Sequence, residues 1–141
     1  MIDIKFLQEQ NKNDLSNIEN VIPLENKEIF IEVVFRDRKN YQIKNKKIYK
    51  YFNKNWKLIL DNDDLDSSLF FVFPDNSFYL VSQDDGDLII KIYDSNVNYI
   101  KNNRIKFNLE ENYWKEYFIN SEGRIFSTKM ENHNYIIVEW K

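Results

Sequence analysis

The stretch FVFPDNSFYLVSQDDGDLIIKIYD (71–94) can be laid over YFINSEGRIFSTKMENHNYIIVEW (117–140) at a constant offset of 46, without a gap. Apolar runs fall on apolar runs: Phe71-Val72-Phe73 on Tyr117-Phe118-Ile119, Tyr79-Leu80 on Ile125-Phe126, Ile90 and Ile92 on Ile136 and Val138. Turn residues fall on turn residues, with Asp75-Asn76-Ser77 on Ser121-Glu122-Gly123 and the polar loop Gln83–Asp87 on Lys129–His133. Short runs rich in aromatic and branched residues, separated by such clusters about every ten residues, read as strands of an antiparallel meander. Phase agrees with burial of one face, since Leu88, Ile90 and Ile92 alternate along one strand and Ile136, Val138 and Trp140 along another.

A third copy lies upstream. FRDRKNYQI (35–43) matches FPDNSFYLV (73–81) at Phe, Asp and Tyr, and IYKYFNKNW (48–56) overlies IKIYDSNVN (90–98), with the intervening loop four residues shorter. Each copy reads as strand, tight turn, strand, loop, strand, then a fourth outer segment, Trp56–Leu60 or Tyr99–Lys106. The expected fold class is all-β, in three blade-like meander repeats at about 29–61, 68–106 and 115–141, forming a single domain over 29–141. Residues 1–28 read as an N-terminal strand, Ile2–Leu7, followed by a polar loop or irregular arm over 8–28. Leu109, Tyr113, Trp114, Tyr117 and Phe118 follow a helical spacing, so a short helical turn is expected at 109–116.

Composition fits this reading. Phe, Tyr and Trp make up 16% of the chain, enough to bury a large aromatic interior, and there is no alanine to favour helix surfaces. The abundant Lys, Asn, Ile, Tyr and Phe all have A/T-rich codons, so an A/T-rich genome would produce the same bias. Without cysteine there are neither disulfides nor thiolate metal sites. The N-terminus carries no basic segment followed by an apolar stretch, and no run is apolar enough to cross a membrane as a helix. The expected compartment is cytoplasmic, with a secreted or lipoprotein fragment left open should a signal have been removed.

The phrase IIKIYDSNVNYIK followed by FINSEGRIF resembles bacterial β-propeller repeats of the general NHL-like kind, over about residues 35–141. The resemblance implies scaffolding and binding rather than a reaction, because propellers host many functions. Two features depart from it: only Gly86 and Gly123 supply glycine, and three blades fall short of the usual minimum of four for a ring. The chain is therefore a fragment of a larger propeller, an open stack of meanders, or a protomer that completes a ring with another copy.

Catalytic candidates are few. His133, the single histidine, sits in the polar loop Glu131–Asn134, and no cysteine, GxSxG, P-loop, GxGxxG or HExxH accompanies it. The chain is expected not to be an enzyme and to hold no cofactor. Asp61–Asp66 and Asp84–Asp87 are acidic runs with a weak likeness to calcium loops, but the first lacks the central glycine and distal glutamate of an EF-hand, and turn aspartates explain both; no metal is expected. Glu110-Glu111 beside Tyr113-Trp114 offers only the bare outline of a sugar pocket.

The most asymmetric feature is 36–57, with nine cations against Asp37 alone, a local +8 in a chain of net charge −3. Rings are interleaved, and Arg36, Arg38, Lys44, Lys46, Lys50 and Trp56 are the candidate binding residues. The expected function is a non-catalytic protein-interaction module whose partner is another, acidic protein, bound through loops at one end or through this basic face. The alternative is a nucleic-acid-binding domain, cations meeting phosphates and rings meeting bases. Against both stands the plain reading that lysines on exposed strands solubilise a sheet and block edge pairing.

Overall fold

The computed structural model describes residues 14–106, 117–120 and 122–140. All regular structure there is β, in antiparallel sheets. The strands are β1 (Asp14–Pro23), β2 (Ile29–Asp37), β3 (Ile43–Phe52), β4 (Asn55–Asn62), β5 (Ser68–Val72), β6 (Phe78–Asp84), β7 (Asp87–Tyr93), β8 (Tyr99–Ile105), β9 (Tyr117–Ile119), β10 (Ile125–Glu131) and β11 (Asn134–Trp140). They form three sheets in chain order, β1-β2-β3-β4, β5-β6-β7-β8 and β9-β10-β11, each an uninterrupted meander.

Two expectations change. Residues 14–23, read as part of an irregular arm, form β1, which pairs with the full length of β2 from Asp14↔Asp37 to Pro23↔Ile29. Its own pattern is weakly apolar, as suits an edge strand; the neighbouring β2, with six consecutive buried residues from Phe30 to Phe35, decides the pairing. The loop expected between Ile43 and Ile48 is absent as well. β3 runs unbroken through Lys44-Asn45-Lys46-Lys47, because these polar side chains find partners within the fold. The Ile2–Leu7 strand and the 109–116 helical turn fall outside the described residues.

Chain reversals use two devices. Five-residue loops at 24–28, 73–77, 94–98 and 120–124 share one hydrogen-bond scheme: the first N–H donates to the fifth carbonyl, and the fourth N–H donates to the first carbonyl. The fourth residue is left-handed in each, Lys27 at φ 66°, Asn76 at 69°, Val97 at 68° and Gly123 at 75°. Two-residue turns at Asn53-Lys54, Asp85-Gly86 and Asn132-His133 have positive φ at both positions, the type I′ geometry that matches strand twist. In the second and third sheets the two devices follow in the same order, with equivalent loop positions 47 residues apart, one more than the sequence superposition gives.

The sheets stack face to face. Phe30 and Ile48 of the first meet Leu69, Val72, Phe78 and Leu80 of the second in one apolar cluster. The opposite face of the second sheet, with Val81, Leu88, Ile90 and Ile105, meets Ile125 and Ile119 of the third. Alternation along β6 thus serves two seams, even positions facing one neighbour and odd positions the other. Gly123 belongs to this second seam: a Cβ there would lie 2.7 Å from Phe73 Cζ and 2.8 Å from Tyr79 Oη. The outer face of the first sheet is closed, with Ile31, Val33, Phe35 and Tyr49 buried around Trp56.

Candidate binding cleft

The β1–β2, β3–β4, β5–β6 and β7–β8 reversals all gather at one end of the first two sheets, where a cleft of about 600 Å³ opens between them. Three loops supply its rim: Asn53 and Asn55 from the β3–β4 turn, Asn76 from β5–β6, and Ser95-Asn96-Val97 from β7–β8. Lys57 stands on the wall, exposed and without an ion pair among the described residues, and Phe52 presents a ring that is 51% exposed.

Lys50 forms the inner wall. Its ammonium lies 2.7 Å from Glu28 Oε2 and donates to Asn76 Oδ1 at 3.0 Å. The same Nζ sits 5.3 Å from the centroid of Phe52 and 5.8 Å from that of Phe30. Half-buried between a carboxylate and two ring faces, this cation is held in place and ties the first sheet to the β5–β6 loop.

Loop conformation is set locally. Asn26 and Asp75, at the third position of their loops, accept from the N–H of the fifth. Asp94 and Asn120, at the first position, accept from the third and fifth N–H groups. The hydroxyl and N–H donors of Ser77 hold the Asp75 carboxyl below its usual range, and donors from Asn98 and Asn96 do the same at Asp94. Val97 is the exception in this economy of turn-formers. A β-branched residue is strongly disfavoured at positive φ, yet Val97 is held there, packed against the first seam and lining the cleft.

The basic stretch does not form one face. Lys46 is buried, donating to the Ser67 carbonyl at 2.9 Å and Ser68 Oγ at 3.0 Å. Arg36 pairs with Glu19 at 2.6 Å; Lys44 pairs with Asp14 at 2.7 Å and Asp37 at 3.1 Å, and these two acids lift its affinity for its proton. Arg38 is exposed in the β2–β3 loop, at the other end of the first sheet. Trp56 lies 5.0 Å from Tyr51 and packs on the closed outer face, away from the cleft. Lys44 and Lys50 lie six positions apart on β3, roughly 20 Å along the strand. Of the six candidate binding residues, the structure brings only Lys50 to the cleft, where it is joined by Lys57, another cation of the same basic stretch.

Sequence reading missed Asn53, Asn76 and Ser95–Val97 because each is an ordinary loop residue locally; only the convergence of separate hairpins makes them one site. The available signal was a valine in the turn Asp94-Ser95-Asn96-Val97-Asn98, where glycine or asparagine is the residue that fits.

Elsewhere the acidic runs are absorbed by the fold. Asp61 accepts from Asn45 and Asp64 is paired with Lys91, whose ammonium overcomes the cost of burial and holds that carboxyl low. Arg104 bridges Asp84 and Asp87. Among the described residues no three His, Asp or Glu side chains gather closely enough to hold a metal ion, and no helix is long and apolar enough to cross a membrane. His133 is exposed in the β10–β11 turn. No protein-family model matches the chain, and no curated protein matches it.

Proposed function

We propose that the chain is a non-catalytic protein-interaction module of propeller-like β-meander type, which takes an extended acidic segment of a partner protein into the cleft between its first two sheets. The observation that carries this reading is the chemistry of the lining: carboxamides, ammoniums, a hydroxyl and ring faces, with no carboxylate, imidazole or thiol among the lining residues. Carboxamides both donate and accept, so they suit the alternating N–H and C=O groups of an extended peptide. Lys57 supplies an unneutralised cation for a partner carboxylate, and Phe52 an apolar platform. Strain concentrated at Val97, on the rim, is the kind of feature that accompanies binding sites.

The propeller-like description draws support from the stacking of consecutive meanders, in which β4 leads directly to β5 at the edge of the next sheet. Affinity for a displayed library of acidic extended peptides, read by fluorescence anisotropy, tests the proposal. We expect selected acidic peptides to bind and to weaken about tenfold or more on Lys57→Glu, a loss of about 1.4 kcal/mol. Equal binding of acidic, neutral and basic peptides, or indifference to Lys57→Glu, would overturn it.

A further inference from the structure

On the reading of the cleft as an acidic-peptide site, we infer that the bound segment carries one acidic side chain with a large apolar side chain two residues to either side, an apolar–x–acid–x–apolar motif in extended conformation. The β3–β4 register sets out the subsites as rungs. Phe52 pairs with Asn55 at the mouth, and Lys50 with Lys57 on the next rung. Ile59 follows, in the bulge where β4 has one residue more than β3, opposite Ile48 and Tyr49. Ring, cation and branched side chain thus succeed one another at two-residue steps, roughly 7 Å apart. Alternate side chains of an extended chain repeat at the same interval, so a segment lying along these strands sets every second side chain on a rung.

Charge limits the motif to a single acid. Lys50 and Lys57 stand directly opposite each other on neighbouring strands, where like charges repel. With Glu28 tied to Lys50 at 2.7 Å, the pair is one negative charge short among the described residues. Apolar walls flank that charge on both sides. Phe52 is exposed at the mouth. On the inner side Ile59 of the first sheet and Val97 of the β7–β8 loop both line the cleft and pack against the Phe30 and Ile48 cluster. The strain at Val97 points the same way. Its counterparts at the fourth loop position are Lys27, Asn76 and Gly123, none branched at Cβ. A branched side chain is kept at φ 68° in the one loop where it supplies an apolar wall to the cleft.

Two labelled peptides of one composition, Ser-Gly-Phe-Ser-Glu-Ser-Phe-Gly-Ser and Ser-Gly-Phe-Glu-Ser-Ser-Phe-Gly-Ser, titrated against the full chain by fluorescence anisotropy, are the test. Moving the acid by one residue turns it to the opposite side of an extended chain and leaves charge and apolar content unchanged. The first peptide is expected to bind about tenfold tighter, a preference that Lys57→Gln should erase. In a double-mutant cycle, Phe52→Ser and replacement of both peptide phenylalanines by serine should couple by about threefold. Equal affinity of the two peptides overturns the inference and leaves acidic-peptide binding in the cleft standing. So does a preference that survives Lys57→Gln, or a Phe52 cycle without coupling. Binding of neither peptide overturns it as well, and the library of acidic peptides then separates this failure from failure of the cleft reading itself.

Discussion

Glu32 shows how a single ionisable group can set the chemistry of a seam. It is fully buried on the face of β2 that meets the second sheet, accepting from Asn20 Nδ2 at 2.7 Å and from the Leu69 N–H at 3.1 Å. Burial pushes its carboxyl above the ordinary range, although the two donors and the nearby Lys46 pull it back down. A carboxyl with a raised folded value binds its proton more tightly folded than unfolded. Its contribution to stability therefore grows as pH falls through the folded value, levelling off at the unfolded value near 4.5. Asp64 and Asp75 act in the opposite sense, losing their contribution as pH falls below 3.8. Stability is expected to peak in mildly acidic solution. Glu32→Gln keeps an acceptor for Leu69 and removes the titration, so denaturant midpoints at about pH 5 and about pH 7.5 should converge. Glu32→Leu abandons the Leu69 N–H inside the seam and should cost about 1–3 kcal/mol at either pH. A Gln variant with undiminished pH dependence would place the titration elsewhere.

At the scale of elements, the reversals divide what could be read from residues from what could not. The type I′ turns at Asn53-Lys54 and Asn132-His133 put lysine and histidine at a second position where glycine is preferred. His133 is exposed, so His133→Gly relieves backbone strain without loss of packing and should stabilise the chain by about 0.5–1 kcal/mol, seen as a melting temperature a few degrees higher. No rise would mean that the freedom glycine adds to the unfolded chain cancels the gain. Strand positions from β5 to β8 and from β9 to β11 were legible because apolar alternation and turn residues agree there. β1 was not legible, since its edge position lets Asn17, Glu19 and Asn20 face solvent or partner polar groups, and its pairing with β2 supplies what its own pattern lacks. The polar run at 44–47 misled for a related reason: Lys46 is buried by hydrogen bonds that only the second sheet can offer, and Lys47 lies 5.8 Å from the Phe35 ring. Side-chain partners from distant strands carry no local signature, which also hid the cleft.

Across the whole molecule, the two seams differ in what holds them. The first combines buried Phe30, Ile48, Phe78 and Leu80 with a row of polar ties, Glu32 to Leu69, Lys46 to Ser67 and Lys50 to Asn76. The second rests on aliphatic contacts of Ile125 and Ile119 with Val81, Ile90 and Ile105, and on the close approach of Gly123 to Phe73 and Tyr79. β10 has partners on both sides, but β11 is an edge strand paired only with β10, and its Tyr135 and Ile137 face outward. Local opening is cheapest where few buried contacts must break. Amide hydrogens of β10 and β11 are therefore expected to exchange well before those of β2, β3 and β6, which carry the buried core of the first seam. Uniform exchange across all three sheets would mean that the stack opens as one cooperative unit and that the polar ties add little to the first seam.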